Sequence, residues 1–234
     1  MSQAKVILIP ISISDDGKEA VHPYIAKHLD ECQIFFVENI RTARRAFKKM
    51  NKQFDIDSRA WHEIGKKEEA LVQEFSKAIK EGKTIGIASE SGCPAIADPG
   101  HYLISIAQKN NIDIKPLVGP SSILLTLMAS GFNGQHFTFN GYLPIQETER
   151  IKQIKLLESK VIREDCTQLF IETPYRNNQL FQSLLKHLDN QTALCIGYHI
   201  TAGDEWIKSK TIAAWKKTGL EIPKEPTMFA IGKL

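Results

Sequence analysis

Residues 84–100, TIGIASESGCPAIADPG, decide the fold. The β-branched and small residues at 84–88 predict a buried strand, and the periodic segment 101–110 predicts a helix. The loop between them carries two glycines and two prolines, which predict a constrained backbone path. A loop in this position lies beyond the carboxyl end of a strand, where open α/β sheets bind their ligands. Asp98-Pro99-Gly100 by itself is also a common turn and helix entry, so a purely structural loop is the alternative.

Outward from this stretch, short apolar runs alternate with longer amphipathic ones, which predicts an α/β protein. In the first half the pattern predicts strands at 6–9, 34–37, 84–88 and 112–117, and helices at 40–52, 67–81 and 101–110. In the second half it predicts helices at 121–130, 147–160 and 176–188, and strands at 137–139, 168–171, 193–200 and 227–232. We therefore expect two α/β domains, 1–117 and 118–234, with a mainly parallel first sheet and a mixed second sheet.

The composition is typical of an ordinary globular protein. The 234 residues are 42% hydrophobic and 24% charged, with a net charge of +3, and the mean hydropathy is −0.23. No apolar run reaches the ~18 residues of a membrane span, and the first apolar run predicts a strand, so we expect no signal peptide and no membrane association. The four cysteines form no CxxC pair, which favours a reducing cytoplasm over a disulfide or zinc framework.

Several motifs that identify common enzyme classes are absent from the sequence. It contains no G-x-G-x-x-G after the first strand and no G-x-x-x-x-G-K-[ST], which excludes the usual dinucleotide and P-loop phosphate sites. The seven histidines include no H-E-x-x-H pair, so we assign no metal. No G-x-S-x-G elbow occurs either, which leaves a serine hydrolase possible only by long-range assembly.

Residues 41–52, RTARRAFKKMNK, form the most basic segment. On a helix, Ile40, Ala43, Phe47 and Met50 would form one apolar stripe, and the charges would face outward. Two interpretations remain open. The segment is either a solvated helix face or a phosphate-contacting surface, since clustered lysines and arginines give sequence-independent affinity for nucleic acids.

Two further segments extend the pattern of the 89–100 loop. Residues 117–122, LVGPSS, precede a predicted helix, and residues 139–144, FNGYLP, lead after a spacer to residues 170–176, FIETPYR. Taken in this order, the motifs resemble the tetrapyrrole-methylase family of S-adenosylmethionine (SAM)-dependent methyltransferases. Within that family the chain is most similar to the small-subunit (16S) ribosomal RNA methyltransferase I group, which methylates a ribose 2′-hydroxyl. The resemblance extends from the first strand to the terminal strand.

The resemblance implies two α/β domains with the donor in the cleft between them, a homodimer, SAM as cofactor, and ribosomal RNA or the small ribosomal subunit as partner. Carried over by position, it also implies a set of SAM-binding residues: Pro10, Ser89, Glu90, Ser91, Gly92, Cys93, Pro94, Ile96, Asp98, Ser121, Ser122, Pro174 and Thr201. The RNA-binding candidates are Arg41, Arg44, Arg45, Lys48, Lys49 and Arg176. Arg176 follows Glu172 by four residues, so an intramolecular ion pair is its alternative role.

Several family positions carry different residues here. The family's S-D-A-G aspartate is Glu90, and its A-R-E-L-T-K segment is Gly197-Tyr-His-Ile-Thr-Ala202. We expect these changes to affect the choice of methyl acceptor more than they affect SAM binding. The candidates for the general base are Glu90, Glu38, Glu172 and His199, while a structural strand position is the alternative for His199. A tetrapyrrole or other small-molecule acceptor, and a non-catalytic RNA-binding descendant, are the alternative functions.

Overall fold

The computed structural model describes residues 3–65 and 68–234, and the chain forms two compact units. The first unit ends at Ser121 and the second begins at Ser122, a few residues beyond the boundary predicted from the sequence. Each unit contains one five-stranded sheet with helices on both faces. Among the described residues, no helix has the length and apolar character needed to cross a membrane.

The first unit is built on a parallel sheet. Its strands are β1 (Lys5–Leu8), β2 (Ile34–Val37), β3 (Ala60–Glu63), β4 (Thr84–Ala88) and β5 (Asp113–Pro116), in the order β3-β2-β4-β1-β5. All four strand pairs are parallel, as the sequence predicts. The helices are α1 (Ile25–Glu31), α2 (Ile40–Met50), α3 (Glu68–Lys80) and α4 (His101–Lys109).

Successive side chains along these strands point to opposite faces of the sheet, so this unit has two hydrophobic cores. Ile7 and Phe35 pack on the side of α1 and α2, whereas Val6 and Phe36 pack on the side of α3 and α4. Because both faces are covered, these strands are nearly continuous apolar runs. The loops that follow β1, β2, β4 and β5 therefore meet at the carboxyl edge of one sheet.

The second unit has a mixed sheet, also as predicted. Its strands are β6 (Phe137–Tyr142), β7 (Thr167–Glu172), β8 (Ala193–Tyr198), β9 (Trp206–Thr211) and β10 (Thr227–Gly232), in the order β6-β7-β10-β8-β9. Only the β6–β7 pair is parallel among the pairs described. The helices are α5 (Ser122–Ser130), α6 (Glu147–Glu164), α7 (Asn177–His187) and α8 (Ile212–Trp215).

Four of these elements are not predicted from the sequence: α1, β3, β9 and α8. The first and last are short helices of seven and four residues. Strand β3, AWHE, is half-exposed at the edge of the first sheet, and β9, WIKSKT, alternates with lysines at the edge of the second. Edge strands need fewer apolar residues than central strands. The sequences of β3 and β9 therefore do not show the apolar pattern that indicates a strand.

Candidate active site

The loop of residues 89–100 connects the end of β4 to the start of α4 and contacts the neighbouring loops of the first unit. The Ile11 amide donates to the Gly92 carbonyl at 3.0 Å, forming an isolated bridge to the loop after β1. The Cys93 thiol lies 3.3 Å from the Pro120 carbonyl oxygen, in the loop after β5. The predicted loop is thus held on both sides at the carboxyl edge of the sheet.

The backbone of this loop adopts conformations that L residues rarely take. Gly92 and Gly100 have φ values of 68° and 107°, and Ala95 and Ala97 both have φ of 65°. A side chain in the left-handed region costs on the order of 1–3 kcal/mol, and such strain is typically retained at ligand sites. Within residues 3–65 and 68–234, the amides of Ala95 and Ala97 donate no hydrogen bond, so they are available to a ligand.

Three carboxylates converge on the same loop. The Glu38 side chain, which follows β2, accepts a hydrogen bond from the Glu90 amide at 2.9 Å. Burial, together with the charges of Glu38 and Glu90, raises the pKa of Asp98 to about 6, and a hydrogen bond with Ser89 opposes part of that rise. The cluster therefore carries negative charge at neutral pH and would favour a cationic ligand group.

A close backbone approach fixes the loop after β5. A Cβ added at Gly119 would lie 2.1 Å from the Cβ of Pro10, so no larger residue fits there. Pro10 is buried beneath it, and the half-buried Ser121 and Ser122 follow at the start of α5. The structure thus places Pro10 and Ser121 in loops that join the 89–100 loop, while Ile96 lies on the loop with 53% of its surface exposed.

Helix α2 has the predicted apolar stripe and basic face. Ala43 and Phe47 are buried, and Arg41, Arg45 and Lys48 are exposed. Its N-terminus lies at an open depression of about 610 Å³ lined by Asn39, Ile40, Arg41, Arg44 and Glu63.

Three of the predicted RNA-binding residues on α2 already have protein partners. The Arg44 guanidinium stacks 5.2 Å from the centroid of the Trp61 ring, and its Nε is buried without an acceptor among the described residues. Lys49 lies 3.2 Å from Asp15, and the Lys48 Nζ donates to the Lys52 carbonyl at 3.2 Å. Arg44 therefore contributes to packing, and the exposed basic surface that has no acidic partner in the described part of the chain is centred on Arg41, Arg45 and Lys48.

In the second unit, Glu172 and Arg176 form an ion pair, which is one of the two roles that the sequence allows for Arg176. The Arg176 Nη2 lies 2.6 Å from the Glu172 Oε1, which also accepts the Thr173 amide at 2.7 Å. Glu172 is buried at the end of β7, and Pro174 begins the short helix that follows it. These bonds engage the Glu172 carboxylate, so its geometry suits positioning better than proton transfer.

His199 and Thr201 lie at the end of β8, on the same sheet edge as Pro174. Both adopt positive φ, of 45° and 70°. The His199 Nδ1 lies 2.6 Å from Asp204, and the Thr201 amide donates to Glu205 at 2.5 Å. His199 is thus a constrained loop residue rather than part of the strand predicted over 193–200, and a carboxylate orients its ring.

Sequence reasoning did not identify the strained alanines or the convergence of Glu38 with Asp98 as a feature of the site. Backbone strain has no sequence signal at alanine, and the pairing of β2 beside β4 joins residues more than fifty positions apart. The ordered motifs located the loop, but only the strand order brings its partners together. Among the described residues, no cluster of histidine, cysteine and acidic side chains is arranged to hold a metal.

Comparison with known proteins finds relatives of this chain, although no family model matches it. The chain is 30% identical over 192 residues to ribosomal RNA small subunit methyltransferase I of Helicobacter pylori strain J99, covering 77% of this chain and 64% of that protein. For the protein of that name from Halalkalibacterium halodurans, the identity is 33% over 149 residues, with coverage of 63% and 50%. The chain thus spans about half to two thirds of the length of these relatives.

Solved structures share the fold at low identity. The methyltransferase CobJ matches with a TM-score of 0.63 and 14% identity, covering 100% of this chain and 95% of that one. Uroporphyrin-III C-methyltransferase from Thermus thermophilus, complexed with S-adenosyl homocysteine, matches with a TM-score of 0.58 and 13% identity over 97% of both chains. The two-domain α/β fold expected from the motifs is confirmed.

Proposed function

We propose that this chain is a SAM-dependent methyltransferase of small-subunit ribosomal RNA, because it has relatives named ribosomal RNA small subunit methyltransferase I and shares its fold with uroporphyrin-III C-methyltransferase. The proposed acceptor is a ribose 2′-hydroxyl. The single observation that carries the proposal is the loop of residues 89–100, where strained backbone, unpaired amides and three carboxylates occupy the carboxyl edge of the first sheet.

The chemistry of this loop fits SAM. Unpaired amides at Ala95 and Ala97 suit the carboxylate and ribose oxygens of the donor. The negative charge of Asp98 and Glu38 favours the positive sulfonium. We assign SAM binding to the loop together with Pro10 and Ser121 of the first unit. Ser122, Pro174 and Thr201 of the second unit are the remaining candidates that the resemblance implies.

Bound SAM supplies a methyl carbon activated by its sulfonium: the acceptor oxygen bonds to that carbon while the carbon–sulfur bond breaks and its electron pair stays on sulfur. The protein holds the hydroxyl in line and excludes water. The hydroxyl proton passes to a carboxylate of this chain. Among the four candidate bases, Glu90 is exposed at the loop, whereas the other three are engaged: Glu38 by the Glu90 amide, Glu172 by Arg176 and His199 by Asp204. We therefore assign proton acceptance to Glu90, and a positioning role to Glu172.

The proposed acceptor also accounts for the basic face of α2. Arg41, Arg45 and Lys48 are exposed and offer sequence-independent contacts to phosphates. A ribosomal acceptor places the activity in the cytoplasm.

We further propose a homodimer. The proposal is supported by the apolar side chains of Leu124 and Met128, which are 51% and 78% exposed on one face of α5.

Two measurements test the proposal. Isothermal titration with SAM should give a saturable one-site curve, and a flat trace with folded protein would contradict SAM binding. Labelled SAM should then be incubated with undermethylated small ribosomal subunits and, separately, with a tetrapyrrole precursor. We expect label in the ribosomal RNA as a ribose methyl group. Label in the tetrapyrrole alone would show that the acceptor is a tetrapyrrole and not ribosomal RNA. SAM binding without any methyl transfer would indicate a non-catalytic descendant.

A further inference from the structure

The outer edge of the second sheet carries a groove that has no part in the site described above. Its volume is about 270 Å³, and it is formed by the edge strand β9 and the segment that follows it. The lining residues are Trp206, Lys208, Lys210, Trp215, Thr218 and Leu220. The groove therefore combines two indole rings with two ammonium groups.

The periodicity of β9 places its aromatic and basic residues together. Trp206, Lys208 and Lys210 alternate along the strand and so share one face. On the opposite face, the Ser209 hydroxyl donates to the Ser130 carbonyl of α5 at 2.6 Å, and Ile207 packs into the core on that side. Strand β9 is thus fixed to the unit through one face and presents the other to the groove.

Aromatic contacts hold the groove side chains in place. Lys208 Nζ lies 5.8 Å from the centroid of the Trp206 ring, and Lys210 Nζ lies 5.0 Å from that of Trp215. The Trp215 ring is anchored by a 2.8 Å hydrogen bond from its Nε1 to the Leu194 carbonyl, and Trp206 stacks on Tyr198 at 5.4 Å. A ligand would therefore meet cations that are already positioned, which lowers the entropy cost of binding.

No acidic partner neutralises these cations. Within the part of the chain that the structure describes, neither Lys208 nor Lys210 forms an ion pair. The acidic residues just before β9 are engaged elsewhere: Asp204 binds His199, and Glu205 accepts the Thr201 amide. The groove is thus complementary to a polyanion that also carries flat, apolar groups.

We propose that this groove binds a single-stranded RNA segment, with a base against Trp206 and phosphates at Lys208 and Lys210. Stacking on aromatic side chains combined with cations along the backbone is how proteins hold single strands without sequence preference. The inference rests on the proposed function for its RNA acceptor. It adds a second contact for that RNA, on residues that take no part in SAM binding or methyl transfer.

The test measures binding of the full chain to a labelled single-stranded oligouridylate of about a dozen nucleotides, by fluorescence anisotropy over a series of salt concentrations. The Lys208→Gln/Lys210→Gln variant should reduce the slope of log K against log salt by about 1.4, because two single-strand phosphate contacts are lost. Trp206→Leu should weaken binding by about 5- to 150-fold, the range of one lost stacking contact. Trp206→Phe keeps an aromatic ring and should retain most of the affinity.

The matched control is Lys27→Gln/Lys109→Gln, which removes two exposed lysines from α1 and α4 and should leave the slope unchanged. All variants should bind SAM like the parent protein. RNA binding that changes as expected in a protein that does not bind SAM would support the groove while contradicting the proposed function. If the parent does not bind the oligonucleotide, or the groove variant keeps the parent's slope, the inference is wrong. A changed oligomeric mass with an unchanged slope would make the groove a protein interface and would also overturn it.

Discussion

At Gly100 the backbone φ of 107° excludes nearly all L side chains, and an added Cβ would lie 3.1 Å from the Ile64 Cδ1. We predict that Gly100→Val weakens SAM binding by more than ~1 kcal/mol, because the loop must move to relieve the strain. Isothermal titration measures the affinity, and circular dichroism checks the fold. Gly134→Val is the control, since Gly134 has ordinary φ and open space around it. Parent-like SAM affinity in folded Gly100→Val would remove the loop from the cofactor site.

Asp98 should make stability depend on pH. Burial and the neighbouring carboxylates raise its pKa in the folded protein from the ordinary 3.8 to about 6, so the ionised carboxylate destabilises the folded state as pH rises through this window. We predict that Asp98→Asn raises the free energy of unfolding by about 1 kcal/mol at pH 7.5, after allowance for solvent screening, and has little effect at pH 4. Urea denaturation at both pH values measures this difference. An equal effect at both pH values would show that the stability change comes from the shape of the side chain and not from its charge.

Glu90 should affect turnover more than binding. If it accepts the hydroxyl proton, Glu90→Gln should lower kcat by about 10²–10⁴-fold, the usual contribution of a general base, with SAM affinity nearly unchanged. Glu172→Gln is the contrast, because Glu172 is buried against Arg176 and its replacement should reduce stability. Single-turnover methylation separates the chemical step from product release. If the Glu90→Gln enzyme kept the single-turnover rate of the parent, another residue would be the general base.

At the scale of one helix, α2 presents charges of two kinds. Arg45 and Lys48 are exposed, whereas Arg44 is stacked on Trp61. Neutralising Arg45 and Lys48 should reduce the slope of log K for ribosomal RNA against log salt by about 1.4 to 1.8 and leave SAM affinity unchanged. Arg44→Gln should instead lower the unfolding temperature, since it removes a packed guanidinium. An unchanged slope for the first variant would make α2 a solvated face.

Elements with strong periodicity were predictable from the sequence, and elements at edges were not. Strands β2, β4 and β10 match their predicted ranges because β-branched and aromatic runs are bounded by polar or turn residues. Strand β9 was missed because its alternating lysines give it the pattern of a surface segment. The motifs located the 89–100 loop, yet the approach of Glu38 to Glu90 depends on strand order, which local pattern does not encode.

At the scale of the whole molecule, the proposed dimer is testable on α5. Met128 is 78% exposed on the same helix face as Leu124, and a charge there would oppose burial in an interface. We predict that Met128→Asp gives a monomer where the parent is a dimer, as measured by light scattering coupled to size exclusion. Leu156→Asp is the control, because Leu156 is a half-exposed apolar residue on α6. A Met128→Asp dimer, or a monomeric parent, would contradict this interface.

The distribution of tryptophans gives each unit its own optical signal. Trp61 lies in the first unit, stacked 4.7 Å from Phe35, while Trp206 and Trp215 lie in the second. These are the three tryptophans of the chain, so Trp61→Phe leaves emission from the second unit alone. The hydrophobic cores of the two units are separate, and a denaturation curve of that variant, overlaid on one recorded by circular dichroism, reveals whether both units unfold together. Divergent midpoints would make the two halves of this chain separable folding units.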